Sequence, residues 1–286
     1  PVTIRTSSFI LRRFTRWLGA AGVHAPERLR GRHLDDWQNA LAARVNGSGK
    51  PLKARSVNKE IGVAKVFLLY LAREGIVPSA LAERIEYVKE PNMLPGSVLT
   101  HAQVRRLLDA IPTDTAEGCC NRTMLELLYS SGIRVGELLG LDLNHLDLRN
   151  GTALVTGKGG KQRVVPLGRT AIKFLENYLH GIRPHLETTA GEKAVFLDPL
   201  GKRYPYYTFR RRLHAYAGKA GIDIQVTPHT FRRSCTTEML RGGANMYHVK
   251  EMLGHESLDT LKHYALLTIT DLKKTHRKCH PRERNS

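Results

Sequence analysis

The chain has 286 residues, a soft prior of about two domains, and 41% of them are hydrophobic, enough for a buried core and against wholesale disorder. Lys and Arg number 45 against 26 Asp and Glu, and the net charge of +19 points to a polyanion, nucleic acid before an anionic membrane. No run approaches the roughly 18–20 apolar residues of a membrane span, and no N-terminal stretch reads as a signal peptide. The first residue is Pro1 rather than Met, as expected of a trimmed N-terminus. Cys119, Cys120, Cys235 and Cys279 form no CxxC pair, which favours a reducing, cytoplasmic compartment. Cys279 with His276 and His280 lacks a matching fourth ligand and reads as a basic helix end rather than a zinc site.

Residues 1–99 hold 16 basic and 8 acidic residues, and 100–286 hold 29 and 18, so both halves suit contact with the polyanion, as two jaws of a clamp. The first half reads as a small helical bundle. Ile4–Leu18 carries Ile10, Leu11, Phe14, Trp17 and Leu18 at helical spacing. His33–Val45 carries Leu34, Trp37 and Leu41, and a Gly/Ser/Pro linker, Asn46–Pro51, follows. Ser56–Arg73 is the strongest helix, with Val57, Ile61, Ala64, Leu68 and Leu71 facing inward. Two prolines and a glycine in Glu90–Leu99 break any helix. The expected organisation is therefore a helical unit over 1–90, a linker over 91–99 and a second unit over 100–286.

The second unit reads as mixed. Thr100 opens a helix with a T-x-x-Q capping box to Gln103, followed by Val104, Leu107, Leu108 and Ile111. Asn121–Leu139 reads as helical. Ala153–Thr156 and Arg163–Pro166 flank Gly157-Lys158-Gly159-Gly160, a hairpin signal. Helices are then expected at about 168–180, 206–220, 229–242, 245–253 and 257–267. The fold class is mainly α with a small β-sheet.

The chain has no phosphate-binding G-x-x-x-x-G-K-[ST] loop, no G-x-G-x-x-G after a strand, no H-E-x-x-H and no cluster of carboxylates for Mg²⁺. Nucleic-acid chemistry here must therefore stabilise phosphorane charge with side chains. Arg134 follows Gly132, with Glu137 one turn on. Lys158 sits at a hairpin tip. His229 and Arg232 lie at i, i+3 after Thr227-Pro228, a cap and first-turn pair. His255 follows Leu253-Gly254 at a helix break, and Tyr264 comes nine residues later.

These residues resemble, in order and approximate spacing, the tyrosine recombinases, which include phage integrases and Xer-type recombinases. The match places Arg134 in G-x-R-x-x-E-L, Lys158 in G-K-G, His229 and Arg232 in H-x-x-R, His255 in L-G-H, and Tyr264 at the end. It covers about residues 100–280, and the first half is similar to the family's core-binding domain in pattern only. Arg233 stands where the family commonly has His after H-x-x-R, and Leu261-Lys262-His263 separates Thr260 from Tyr264. The resemblance implies site-specific recombination or integration through a 3′-phosphotyrosyl link, with a free 5′-hydroxyl and neither metal nor nucleotide cofactor.

The chemistry of these residue types agrees. Two guanidiniums, Arg134 and Arg232, stay charged and grip non-bridging oxygens. A Tyr264 phenol forms a phosphoester once its proton is removed, and a mobile Lys158 protonates the leaving oxygen. His229 serves as base or donor near Tyr264, His255 donates to the phosphorane, and Glu137 orients Arg134. Lys161 and Arg163 remain rivals to Lys158. Tyr129, Tyr178 and Tyr247 are expected in the core, and His263 is a bystander.

Phosphate contact is expected from Lys202, Arg203, Arg210, Arg211 and Arg212, and from Lys50, Lys53, Arg55 and Lys59 across the other jaw. The apolar tail face of Leu266, Ile269 and Leu272 has two readings, docking on the chain's own body or, as the resemblance implies, on a neighbour in a homotetramer on double-stranded DNA with inverted half-sites. The setting is the cytoplasm, in association with the nucleoid, and no membrane is involved. Two other functions stay open, a type IB topoisomerase-like relaxing enzyme and a non-catalytic DNA-binding regulator.

Overall fold

In the computed structural model, which describes residues 2–90, 98–187 and 191–254 and only the backbone of Val2, Thr3 and Lys158, the chain separates into two units, Pro1–Met93 and Leu94–Ser286. The fold is mainly helical with one small sheet.

The first unit holds α1 (Val2–Ala20), α2 (Gly31–Ala43), α3 (Ala54–Arg73) and the single turn α4 (Ala80–Arg84). Phe14 and Leu18 of α1, Leu34, Trp37 and Leu41 of α2, and all five expected residues of α3 meet in one core. Phe14 meets Trp37 edge to face, with ring centroids 4.7 Å apart. Glu60 is buried in α3 and ion-paired to Arg13 of α1 and to Arg44 at the end of α2. α2 stops at Ala43, before the expected Val45. Val45 instead bridges Pro51, and Asn46 Oδ1 accepts from the Ser48 and Lys50 amides at 2.9 and 3.1 Å. The expected linker over Asn46–Pro51 is thus a closed turn. The Pro/Gly stretch 91–97 lies outside the described residues.

The second unit begins with α5 (His101–Asp109), where the Thr100–Gln103 capping box forms at both ends. α6 (Ala116–Ser131) is central, and Met124, Leu125, Leu127 and Leu128 are all buried there. Asn121–Leu139 is not one helix. Gly132 adopts φ +61°, closes α6, and lets the chain restart as α7 (Val135–Leu139). A Cβ on Gly132 would lie 2.7 Å from a Leu253 methyl.

The strands β1 (Leu146–Asp147), β2 (Thr152–Thr156) and β3 (Gln162–Pro166) pair antiparallel in that order. Ala153, Val155 and Val165 face the core. Arg163 is opposite Val155 and two residues from Val165, so strand alternation turns it to the same inward face. Next comes α8 (Arg169–Asn177), shorter than the expected 168–180. A wide turn over Tyr178–Ile182 carries it into α9 (Arg183–Leu186), held by Arg183 donating to the Ala194 and Glu192 carbonyls. Then come α10 (Tyr206–Lys219), α11 (Pro228–Arg241) and α12 (Met246–Leu253). The helix expected over 257–267 lies outside the described residues. Among the described residues, no helix is long and apolar enough to cross a membrane.

Candidate active site

The break at Gly132 places Arg134 at the N-cap of α7 with extended backbone (φ −73°, ψ 147°), rather than inside a helix. Glu137, in the first turn, reaches back. Its Oε2 accepts from the Arg134 amide at 2.8 Å, and its Oε1 accepts from Arg134 Nη1 at 2.9 Å. Arg163 of β3 completes the shell with a fork, Nη1 to Oε1 at 2.9 Å and Nη2 to Oε2 at 2.8 Å. The Glu137 side chain is only 3% exposed. Burial pushes its pKa up, but the bonds from Arg163 and Arg134 outweigh that and hold it below the ordinary 4.5. Arg134 keeps 38% of its side chain exposed, so one edge of its guanidinium remains open.

α11 starts as its sequence directs. Thr227 Oγ1 accepts from the Thr230 amide at 3.2 Å, Thr230 Oγ1 accepts from the Thr227 amide at 3.1 Å, and Pro228 fills the first turn, where no amide hydrogen is needed. This fixes His229 and Arg232 one turn apart. Arg232 is buried, donating through Nη1 to the Gly132 carbonyl at 2.6 Å and through Nη2 to the Leu253 carbonyl at 2.7 Å. Burial, then the charge of Arg134, lowers its pKa to about 10, and it stays protonated at neutral pH. His229 is exposed as a residue. Packing around its ring, followed by the charges of Arg232, Arg233 and Arg134, pulls its pKa below the ordinary 6.5, so the imidazole is neutral at pH 7.

Three guanidiniums therefore converge where α12 ends. Arg163 Nε donates to the Met252 carbonyl at 2.8 Å, Arg232 to Leu253, and Arg134 Nη2 to Gly254 at 3.2 Å. Gly254 has φ +63°, and a Cβ there would lie 3.0 Å from the Arg163 guanidinium carbon. Cations at a helix C-terminus, around a single carboxylate, make a fixed positive cluster suited to an anion such as a phosphate.

Residues 97–269 match the phage integrase family model. The tyrosine recombinase XerD of Pseudomonas aeruginosa is 35% identical over 272 residues, covering 95% of this chain and 89% of that protein. XerD of Mycobacterium tuberculosis is also 35% identical, over 96% and 90%. The chain belongs to the phage integrase family: it is a tyrosine-type site-specific recombinase. In fold it is similar to the Tn1549 transposon integrase solved with transposon right end DNA, with TM-score 0.74, 18% identity, and 96% and 93% of the two chains covered. It is likewise similar to the XerH recombinase bound to difH substrate, with TM-score 0.72, 19% identity, and 96% and 79% covered.

Of the recombinase's expected site residues, the structure brings Arg134, Glu137 and Arg232 together, with His229 on the same first turn of α11. Lys158 opens the β2–β3 turn, and only its backbone is described. Its neighbour Gly157 packs against the site, since a Cβ there would meet Glu137 Oε1 at 3.3 Å and Arg163 Nη1 at 3.6 Å. Lys161 is exposed. Arg163, the other rival to Lys158, donates to Glu137 and to the Met252 carbonyl. His255, Tyr264, His263 and the Cys279 group lie outside the described residues, as do Leu266, Ile269 and Leu272.

The basic surface divides. Lys202, Arg210 and Arg211 are exposed, as are Lys50, Lys53, Arg55 and Lys59. Arg203 instead ion-pairs with Asp142 and donates to the Leu139 and Leu141 carbonyls. Arg212 forks onto Glu117 with two 2.6 Å bonds. Both arginines tie parts of the same unit together. Tyr178 is buried and Tyr129 packs edge to face on Phe231. Tyr247 corrects the core expectation: it is 66% exposed at the start of α12, where residue type does not tell which face of a helix is buried.

The site member that sequence reasoning missed is Arg163 as a partner of Glu137. Strand alternation carried the signal: a residue two positions from a core valine shares its face.

Proposed function

We propose that this recombinase cleaves and rejoins DNA at specific sites with Tyr264 as nucleophile, Arg134 and Arg232 as the phosphate clamp, and Lys158, His229 and His255 moving protons or donating to the phosphorane. The convergence of Arg134, Arg163 and Arg232 on the end of α12, one residue before His255, carries the reading. Neutral His229 takes the Tyr264 phenolic proton, and the Tyr264 oxygen forms a bond to phosphorus. The bond from phosphorus to the 5′-oxygen breaks, and Lys158 supplies the proton that makes a 5′-hydroxyl. The phosphodiester energy stays in the 3′-phosphotyrosyl link, and attack by a second 5′-hydroxyl reverses the steps.

Residues 1–90 act as the DNA-binding domain and 100–286 as the catalytic domain. Lys50, Lys53, Arg55, Lys59, Lys202, Arg210 and Arg211 supply phosphate contacts to duplex DNA. Strand exchange takes place at the nucleoid, in the cytoplasm, on inverted half-sites held by a homotetramer whose C-terminal tail, with Leu266, Ile269 and Leu272, docks on a neighbour.

The test is adduct formation on nicked duplexes tiled across the DNA flanking the gene of this chain. The expected outcome is a gel-shifted covalent adduct that Tyr264→Phe abolishes. No adduct with the unmodified chain, or an adduct that survives Tyr264→Phe, overturns the reading. Supercoil relaxation with no joining of two duplexes assigns the topoisomerase-like activity instead.

A further inference from the structure

Glu137 poses a problem for any phosphate clamp built on Arg134. A buried carboxylate 2.9 Å from a guanidinium neutralises the charge that the phosphate needs. Arg163 answers it. Its two Nη atoms take both carboxylate oxygens in a bidentate fork, the strongest geometry available to a guanidinium and a carboxylate. With Arg163 in place, three guanidiniums face one carboxylate, and the cluster keeps a formal excess of two positive charges. Its Nε simultaneously anchors the Met252 carbonyl, two residues before Gly254 and three before His255. Glycine suits position 254, where φ is +63° and a Cβ would crowd the Arg163 guanidinium at 3.0 Å.

We propose that Arg163 is a positioning residue for strand cleavage: it occupies Glu137 so that Arg134 stays available to the scissile phosphate, and it ties the end of α12 to the same cluster. This rests on the phosphate-clamp reading of Arg134 given above. A lysine at 163 keeps the charge and loses the fork.

The experiment measures single-turnover adduct formation and DNA affinity of the full chain on the nicked duplexes, for the unmodified chain, Arg163→Met, Arg163→Lys, Glu137→Gln and the double variant Arg163→Met/Glu137→Gln. Arg163→Met is expected to bind DNA within a few-fold of the unmodified chain and to cleave about 100-fold more slowly, the scale of a misplaced group. Arg163→Lys is expected to cleave at least about 10-fold more slowly, and it carries the test if Arg163→Met fails to fold. The double variant is expected to be no slower than Arg163→Met, because the carboxylate that competes for Arg134 is gone. Full activity of Arg163→Lys, or losses that multiply in the double variant, overturns the inference while leaving the recombinase reading intact. A chain that forms no Tyr264-dependent adduct at all overturns the Tyr264 and phosphate-clamp reading, and this inference with it.

Discussion

Arg134, Arg163 and Arg232 differ from Lys50, Lys53, Arg55 and Lys59 in what surrounds them. The first three are held by a carboxylate and by backbone carbonyls at the ends of α6 and α12. The other four stand in solvent on the helical unit. In the proposed function the same residue types do two kinds of work. Ordered cations act on one phosphate with little reorganisation at the moment of reaction, which is how charge stabilises a transition state. Solvated cations act on the polyanion as a whole, through release of its counterions.

The contrast is broken most sharply at Arg232. Arg232→Ala removes a guanidinium of the proposed phosphate clamp and also unties Gly132 from Leu253. Cleavage in a single-turnover adduct assay is expected to fall by about 10²–10³-fold, the scale for one missing electrostatic donor. DNA affinity by fluorescence anisotropy should change only a few-fold. An equal loss in affinity and cleavage would mean that Arg232 serves binding like the surface set.

Glu137 tests whether the ordered cluster also holds the fold. Glu137→Gln leaves Arg163 and Arg134 with a weaker acceptor, and about 2 kcal/mol of stability should be lost in urea unfolding at pH 7. The pH dependence has a definite sign. Because the folded pKa of Glu137 lies below the ordinary 4.5, its contribution is complete above that value and drains away as pH falls through the depressed one. The gap between the unmodified chain and Glu137→Gln should be constant from pH 7 to about 5 and close below 4.5. A gap that persists unchanged at pH 3 would place the effect in packing rather than charge.

How far this was legible from the residues alone follows the same division. The core of the helical unit reads directly, because Phe14, Trp37, Ile61 and Leu68 repeat at helical spacing and the burial they drive is local to each helix. The Thr100 and Thr227 caps read for the same reason. The break between α6 and α7 does not, since Leu128, Val135 and Leu138 keep an apolar rhythm across it, and only Gly132, followed by two β-branched residues around Arg134, marks the stop. β1 has two residues and α4 one turn, too short for any period to appear. The ion pairs of Arg203 and Arg212 are set by Asp142 and Glu117, 61 and 95 residues away in the chain, and no local pattern encodes such distances. The convergence of residues 134, 163 and 232 is likewise tertiary. Arg134 and Arg232 are readable in order through the resemblance, while the contact of Arg163 with Glu137 needs the strand register.

The smallest effects belong to the solvated set, and they sharpen the comparison because they are visible chiefly in salt dependence. Replacing Lys50, Lys53, Arg55 or Lys59 by Ala should lower the slope of log Kd against log salt by about 0.9 for each phosphate that is no longer neutralised. Thermal stability should stay within about 0.5 kcal/mol, and the cleavage rate at saturating protein should be unchanged. Arg203→Ala and Arg212→Ala provide the counter-case. Their guanidiniums are spent on Asp142 and Glu117, so removing them should reduce stability and leave the salt slope where it was. If Arg212→Ala lowers the slope as Lys53→Ala does, its ion pair with Glu117 opens on DNA, and the line between ordered and solvated cations moves to include α10.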